Sequence, residues 1–156
     1  MSYIKAVYRD LNLCCKDFIK GVELLEQCSI NDSVGYFKRA CDCVANNSRF
    51  YPKYTSYYGF SLLLNGEDSA IEICRHAVKS APLDGDIYMN LARAEIVLNN
   101  RIEALHVIDA GLKISADHDG LNALKRKLGV RTRKPLPLLA RNNRLSAALG
   151  KKMRKR

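Results

Sequence analysis

Six cysteines, three histidines and two close acidic pairs are the residues of this chain best suited to chemistry. A thiol becomes a nucleophile or a metal ligand only as the thiolate, and a metal needs several ligands converging on one point. Cys14, Cys15, Cys28, Cys41, Cys43 and Cys74 contain no CxxC pair. Cys41 and Cys43 are spaced too badly to share an ion, because on one helix their sulfurs point about 200° apart. His76, His106 and His118 stand at no metal-ligand spacing from the cysteines. The acidic pairs, Glu23 with Glu26 and Asp84 with Asp86, fall on helix surfaces or in a turn, where solvated charge is the expectation. No P-loop, dinucleotide fingerprint, HExxH or GxSxG is present. The residues therefore predict no catalytic group, no cofactor and no metal. In a reducing compartment the thiols are expected to pack as small hydrophobes.

The elements that carry these residues repeat. Phe18 to Leu24, Thr55 to Leu62 and Tyr88 to Glu95 each place a small residue, Gly21, Gly59 or Ala92, in a run able to form a helix. A second such run follows each of them: Ser33 to Val44, Ala70 to Ser80 and Ala104 to Ile114. Within these second runs Ser33, Phe37 and Ala40 match Ala70, Cys74 and Ala77, and then Ala104, Ile108 and Gly111. Each triplet is an i, i+4, i+7 stripe on one helical face. A small residue lets two helices approach, so Gly21 and Gly59 are expected to bring Phe37 and Cys74 into a shared core. One helical hairpin cannot hide such a face by itself, and stacked hairpins can.

The pattern resembles the tetratricopeptide repeat family, with its aromatic, Leu-Gly, Ala, apolar, Ala and Pro signature on a period of about 34 residues. Tyr88, Leu91-Ala92, Ala104 and Ile108 match best, with Gly111 in place of Ala and Ala116 in place of Pro. Gly59, Ala70, Ala77 and Pro82 mark the second repeat, and Gly21, Phe37 and Ala40 the first, where Ser33 replaces Ala. The resemblance implies an all-α fold, a right-handed solenoid of three αα-hairpins over residues 14–46, 52–84 and 85–118. The junction Asn46 to Pro52 carries turn formers and a helix stop. A lead-in helix is expected from Ser2 or Tyr3 through Leu25, and a capping helix over 119–129. In the latter Leu121, Leu124 and Leu128 form a covering stripe and Gly129 is the stop.

In that family the first helix of each hairpin lines a concave groove. By position the groove here comprises Phe18, Ile19 and Val22, then Ser56, Tyr57 and Phe60, then Met89, Asn90 and Arg93. The positions at which some members clamp a chaperone's terminal carboxylate are Phe18, Val22, Tyr57, Asp86 and Asn90, four of them without the required group. An apolar peptide or amphipathic helix suits the groove better. The alternative is self-occupation, by the lead-in helix through Ile4, Val7, Tyr8 and Leu11 or by Pro135 to Leu139, with the groove residues then ordinary core.

Charge divides the chain. Of its 26 basic and 16 acidic residues, Lys125 to Arg156 holds 13 basic and none acidic, so a body of charge −3 carries a +13 end. The 130–156 tail contains Arg131, Arg133, Lys134, Arg141, Arg144, Lys151, Lys152, Arg154, Lys155 and Arg156. Its Leu138, Leu139, Leu145, Ala148, Leu149 and Met153 recur at helical spacing. This basic amphipathic pattern suits an anionic membrane surface or an acidic protein. Nucleic acid suits it less, because the tail offers no aromatic residue to stack on bases. No signal peptide or membrane span is evident, so a cytoplasmic protein, with its tail able to lie on a membrane, is expected. Together these readings predict a non-enzymatic scaffold or adaptor for a protein partner. A small secretion chaperone with three repeats, or a nucleic-acid- or ribosome-associated factor using the tail, are the alternatives.

Overall fold

The computed structural model describes residues 15–129, and among them the chain forms seven α-helices and no strand. They are α1 (Lys16–Glu26), α2 (Ile30–Asp42), α3 (Tyr51–Leu64), α4 (Ile71–Ser80), α5 (Gly85–Val97), α6 (Arg101–Ile114) and α7 (Asp119–Leu128). The 130–156 tail and the segment before Cys15 lie outside the described residues. No described helix is long and apolar enough to cross a membrane.

A single helix running from the first residues through Leu25 is not what the chain forms. Cys15 is extended, at φ −60° and ψ 138°, and stands as the N-cap of α1. Its N–H donates to the Tyr54 hydroxyl at 2.9 Å, a bond to α3 rather than along a helix. Pro52 also takes a different part from the helix stop expected of it. It lies in the first turn of α3, where its missing N–H leaves no intrahelical bond unmade. The second runs begin earlier than their stripes, at Ile30 and Arg101, while Asp68–Ala70 forms a 3₁₀ turn leading into α4. Gly129 ends α7 with φ +66°, the conformation in which a side chain would be strained.

Each helix packs against the next, and α3 also packs on α5 and α5 on α7. Three pairs, α1 with α2, α3 with α4, and α5 with α6, make the most extensive of these contacts. Close approach explains why small residues recur. A Cβ on Gly21 would lie 2.7 Å from the Phe37 ring, and one on Gly59 would lie 2.9 Å from Ile73 and 3.1 Å from the Cys74 sulfur. Gly111, the departure from Ala in the third stripe, has the same cause. A Cβ there would meet Leu121 at 2.7 Å and Tyr88 at 2.8 Å, so the glycine admits the capping helix. Leu121 is fully buried, and Leu124 and Leu128 flank it against Met89, Ala92 and Ile108.

Candidate functional site

Aromatic side chains of α1, α2 and α3 pack into one buried cluster. Phe18 stacks on Tyr54 with ring centroids 4.4 Å apart and meets Tyr57 edge-on at 5.1 Å. Phe37 closes the group, 5.5 Å from Tyr57 and 5.8 Å from Phe18. Such offset and edge contacts contribute about 0.5–1.5 kcal/mol per pair beyond the area buried. Further along, Arg93 lies over the Phe60 ring at 5.6 Å. The Asn90 amide nitrogen donates to the Ser56 hydroxyl at 3.1 Å, joining α5 to α3 inside the protein.

Of the nine groove residues read from the sequence, Phe18, Val22, Ser56, Tyr57, Phe60, Met89 and Asn90 are buried. Ile19 and Arg93 are half-buried. The structure thus places the nine on α1, α3 and α5, where seven belong to the core rather than to an open apolar surface. The reason is geometric: the small residues that draw each helix onto its partner also let aromatic rings from α1 and α3 fill the space between them.

A polar cluster stands at the start of α3, α5 and α7. Lys53 Nζ lies 2.6 Å from Asp86 Oδ2 and 3.8 Å from Asp84. His118 Nε2 lies 3.1 Å from Asp86 Oδ1, while its Nδ1 accepts from the Leu121 N–H at 3.2 Å. Both bonds are made by the neutral ring protonated on Nε2. Desolvation works to raise the Asp86 carboxyl, but His118 and Lys53 outweigh it and hold Asp86 well below the usual carboxylate range. Solvated charge, the expectation for this acidic pair, fails for both members: Asp84 caps α5 by accepting from the Asp86 N–H at 2.9 Å, and Asp86 is inside the cluster. The link to His118 spans 32 residues, a separation no local spacing reveals.

Glu95 is a second buried charge the sequence reading missed. It is 2% exposed and accepts from Arg75 Nη2 at 2.8 Å and from the Asn100 amide at 2.9 Å, tying α4 to α5. The apolar residues around Glu95 in the sequence were its one signal, since a charge amid Ala94 and Ile96 must find partners or stay in water.

The thiols divide by environment. Cys74 donates to the Ser56 carbonyl at 3.5 Å, and burial pushes its thiol up to about 12. Burial raises Cys41 likewise, to about 12, with Asp42 adding to the effect. These two suit the reading of cysteine as a small hydrophobe. Cys15, Asp17 and Cys43 do not, for their ligand atoms all lie within 4.8 Å of one another. They are the one group among the described residues with the donors and spacing to hold a metal ion. The sequence reading paired Cys43 with Cys41 and found no site. The actual neighbour comes from the start of α1, brought close by hairpin closure.

An open depression of about 500 Å³ between α3 and α4 is lined by Tyr51, Thr55, Glu72, Ile73, His76 and Lys79. No protein-family model matches the chain, and no curated protein matches it either.

Proposed function

We propose that this protein is a non-enzymatic scaffold of tetratricopeptide type that binds another protein. One observation carries the reading: small residues recur in α1 and α3 at the points where Phe37, and Ile73 with Cys74, press close, and Ala92 and Ile108 share one buried cluster in the third pair. Repeated hairpin packing of this kind builds an extended surface whose ends need capping, and α7 covers the last pair. The partner surface in this reading is the rim of the inner face, where Ile19 on α1 and Arg93 on α5 are half-buried and can meet a partner without dismantling the core. Phe60 lies beneath the Arg93 guanidinium. The fit is to a segment with an apolar anchor and an acidic group, facing Ile19 and Arg93 respectively. The basic tail adds electrostatic attachment, and the protein works in the cytoplasm.

The test is affinity capture with the full chain, an Ile19→Asp variant, an Arg93→Glu variant and a 1–129 truncation, at low and high salt. Circular dichroism confirms that each variant keeps its helices. A partner retained by the truncation and lost from both point variants supports the inner-face reading. A partner that ignores both substitutions and disappears only on truncation overturns it in favour of the tail.

A further inference from the structure

We propose that Cys15, Asp17 and Cys43 form a site for one soft divalent cation of the zinc class, clamping the start of α1 to the end of α2. The three ligand atoms converge within 4.8 Å, and the Cys15 sulfur stands 4.0 Å from Asp17 Oδ2. Tetrahedral zinc with bonds of about 2.3 Å to sulfur and about 2.0–2.2 Å to oxygen needs ligand atoms about 3.5–3.8 Å apart. Side-chain torsions must therefore close the Cys15–Asp17 distance by a few tenths of an ångström, and the wider distances by no more than about 1 Å, to complete the triad. Cys43 is exposed, so water reaches the fourth corner.

Three features set the ligands in place before any ion arrives. The Cys15 backbone is tied to Tyr54, which is itself fully buried. Asp17 Oδ1 accepts from Arg39 Nε at 3.4 Å, leaving Oδ2 turned toward the sulfurs. That is the outer-shell arrangement that orients ligating carboxylates. Cys43 is fixed as the C-cap of α2, its N–H bonded to the Arg39 carbonyl at 3.0 Å, so the residue that steers Asp17 also anchors Cys43.

The donor set selects the ion. Two thiolates and one carboxylate favour zinc-like metals, whereas calcium and magnesium require shells of oxygen. Binding releases the two thiol protons, and the ion then faces three negative ligands with Arg39 offsetting the excess. The two ligating segments come from different helices. A bound ion is therefore a cross-link within the first helix pair, and it stabilises that pair by mass action.

Cobalt(II) is the probe. The reduced full-length protein, stripped with a chelator, is titrated in the presence of a phosphine reductant, and the thiolate-to-metal charge-transfer band and the stoichiometry are read. One cobalt per chain is expected, displaced by zinc. Arg39→Ala should weaken binding by about 10–100-fold, Asp17→Asn and Cys43→Ser by more, and Cys28→Ser, distant and exposed, not at all. Helicity of every variant is checked, and Asp17→Asn keeps the test decisive if Cys43→Ser folds poorly. Absence of the charge-transfer band, undiminished binding in both Cys43→Ser and Asp17→Asn, or a mass two hydrogens lighter under the same reductant, marking a Cys15–Cys43 disulfide instead, overturns the assignment.

Discussion

The first and last helix pairs use the same device to come together and different forces to hold to their surroundings. Gly21 admits Phe37 just as Gly111 admits Leu121, each leaving no room for a Cβ. Around Gly21 the contacts are rings: Phe18, Phe37, Tyr54 and Tyr57. Around α5 the buried cluster is aliphatic with Tyr88 at its edge, and charge ties α5 to its neighbours, through Glu95 with Arg75 on α4 and Asp86 with Lys53 on α3 and His118 at the start of α7. Aromatic packing is broad and tolerates small rotations. An ion pair fixes one atom against another. The lesson is that a close approach of two helices through a glycine does not dictate the chemistry around it, since the neighbouring helices need only some means of holding that approach.

The largest effect should come from the aromatic end. Phe37→Ala removes a fully buried ring that touches both Phe18 and Tyr57 and should cost about 3–5 kcal/mol in urea-induced unfolding. A loss below about 1 kcal/mol would mean the ring cluster is not what holds the first pair.

The charged end should give the next effect, and one that depends on pH. Asp86 has a folded pKa below its unfolded value, so folding favours its ionised form. Its contribution is therefore full above the unfolded carboxylate value of about 3.9 and is lost as pH falls through the folded value. At pH 7 Asp86→Asn should cost about 1.5–3 kcal/mol, as expected for hydrogen bonds to a charged group. Unfolding curves measured from pH 7 down to pH 2 should converge for the two proteins on the acid side. Parallel curves would show that Asp86 is not the linked group.

How much of this was legible beforehand follows the same division. Gly21, Gly59, Phe37 and Cys74 announced their close approach because helical periodicity is local, and the Leu121, Leu124, Leu128 stripe announced the capping helix for the same reason. Asp86 with His118, Glu95 with Arg75, and Cys15 with Cys43 were silent, because each partnership crosses between helices and depends on how the pairs stack. Cys15 was misjudged as mid-helix, since nothing in the run before Lys16 signals that its N–H will bond Tyr54. The nine groove residues follow from spacing alone, and spacing carries no information on whether a face is open or filled.

Glycine substitutions sharpen the shared half of the comparison. Gly21→Ala gains helix propensity of about 1 kcal/mol but forces a methyl against the Phe37 ring, an overpacking cost of about 1–3 kcal/mol. The net should be a loss of up to about 2 kcal/mol. Gly35 is also helical, but the nearest atom a Cβ there would meet is the Arg39 guanidinium at 3.9 Å. Gly35→Ala should therefore stabilise by about 0.4–1 kcal/mol. Thermal melts of the two variants should move in opposite directions, and a common direction would remove the close-approach argument at Gly21.

The smallest effect tests whether charge holds neighbouring helices because it is charge or because it is buried. Lys125 on α7 and Asp109 on α6 form an ion pair at 2.8 Å, as short as the bond between Arg75 and Glu95, but both side chains are largely in water. Water already solvates each group, so their attraction replaces hydration of similar strength and is screened by salt. Lys125→Ala should change stability by no more than about 1 kcal/mol. Glu95→Gln keeps the shape but removes a charge that only Arg75 and Asn100 can satisfy, and it should cost distinctly more. Equal effects of the two substitutions would mean that burial does not distinguish these pairs, and the contrast between the aromatic and the charged end would then rest on shape alone.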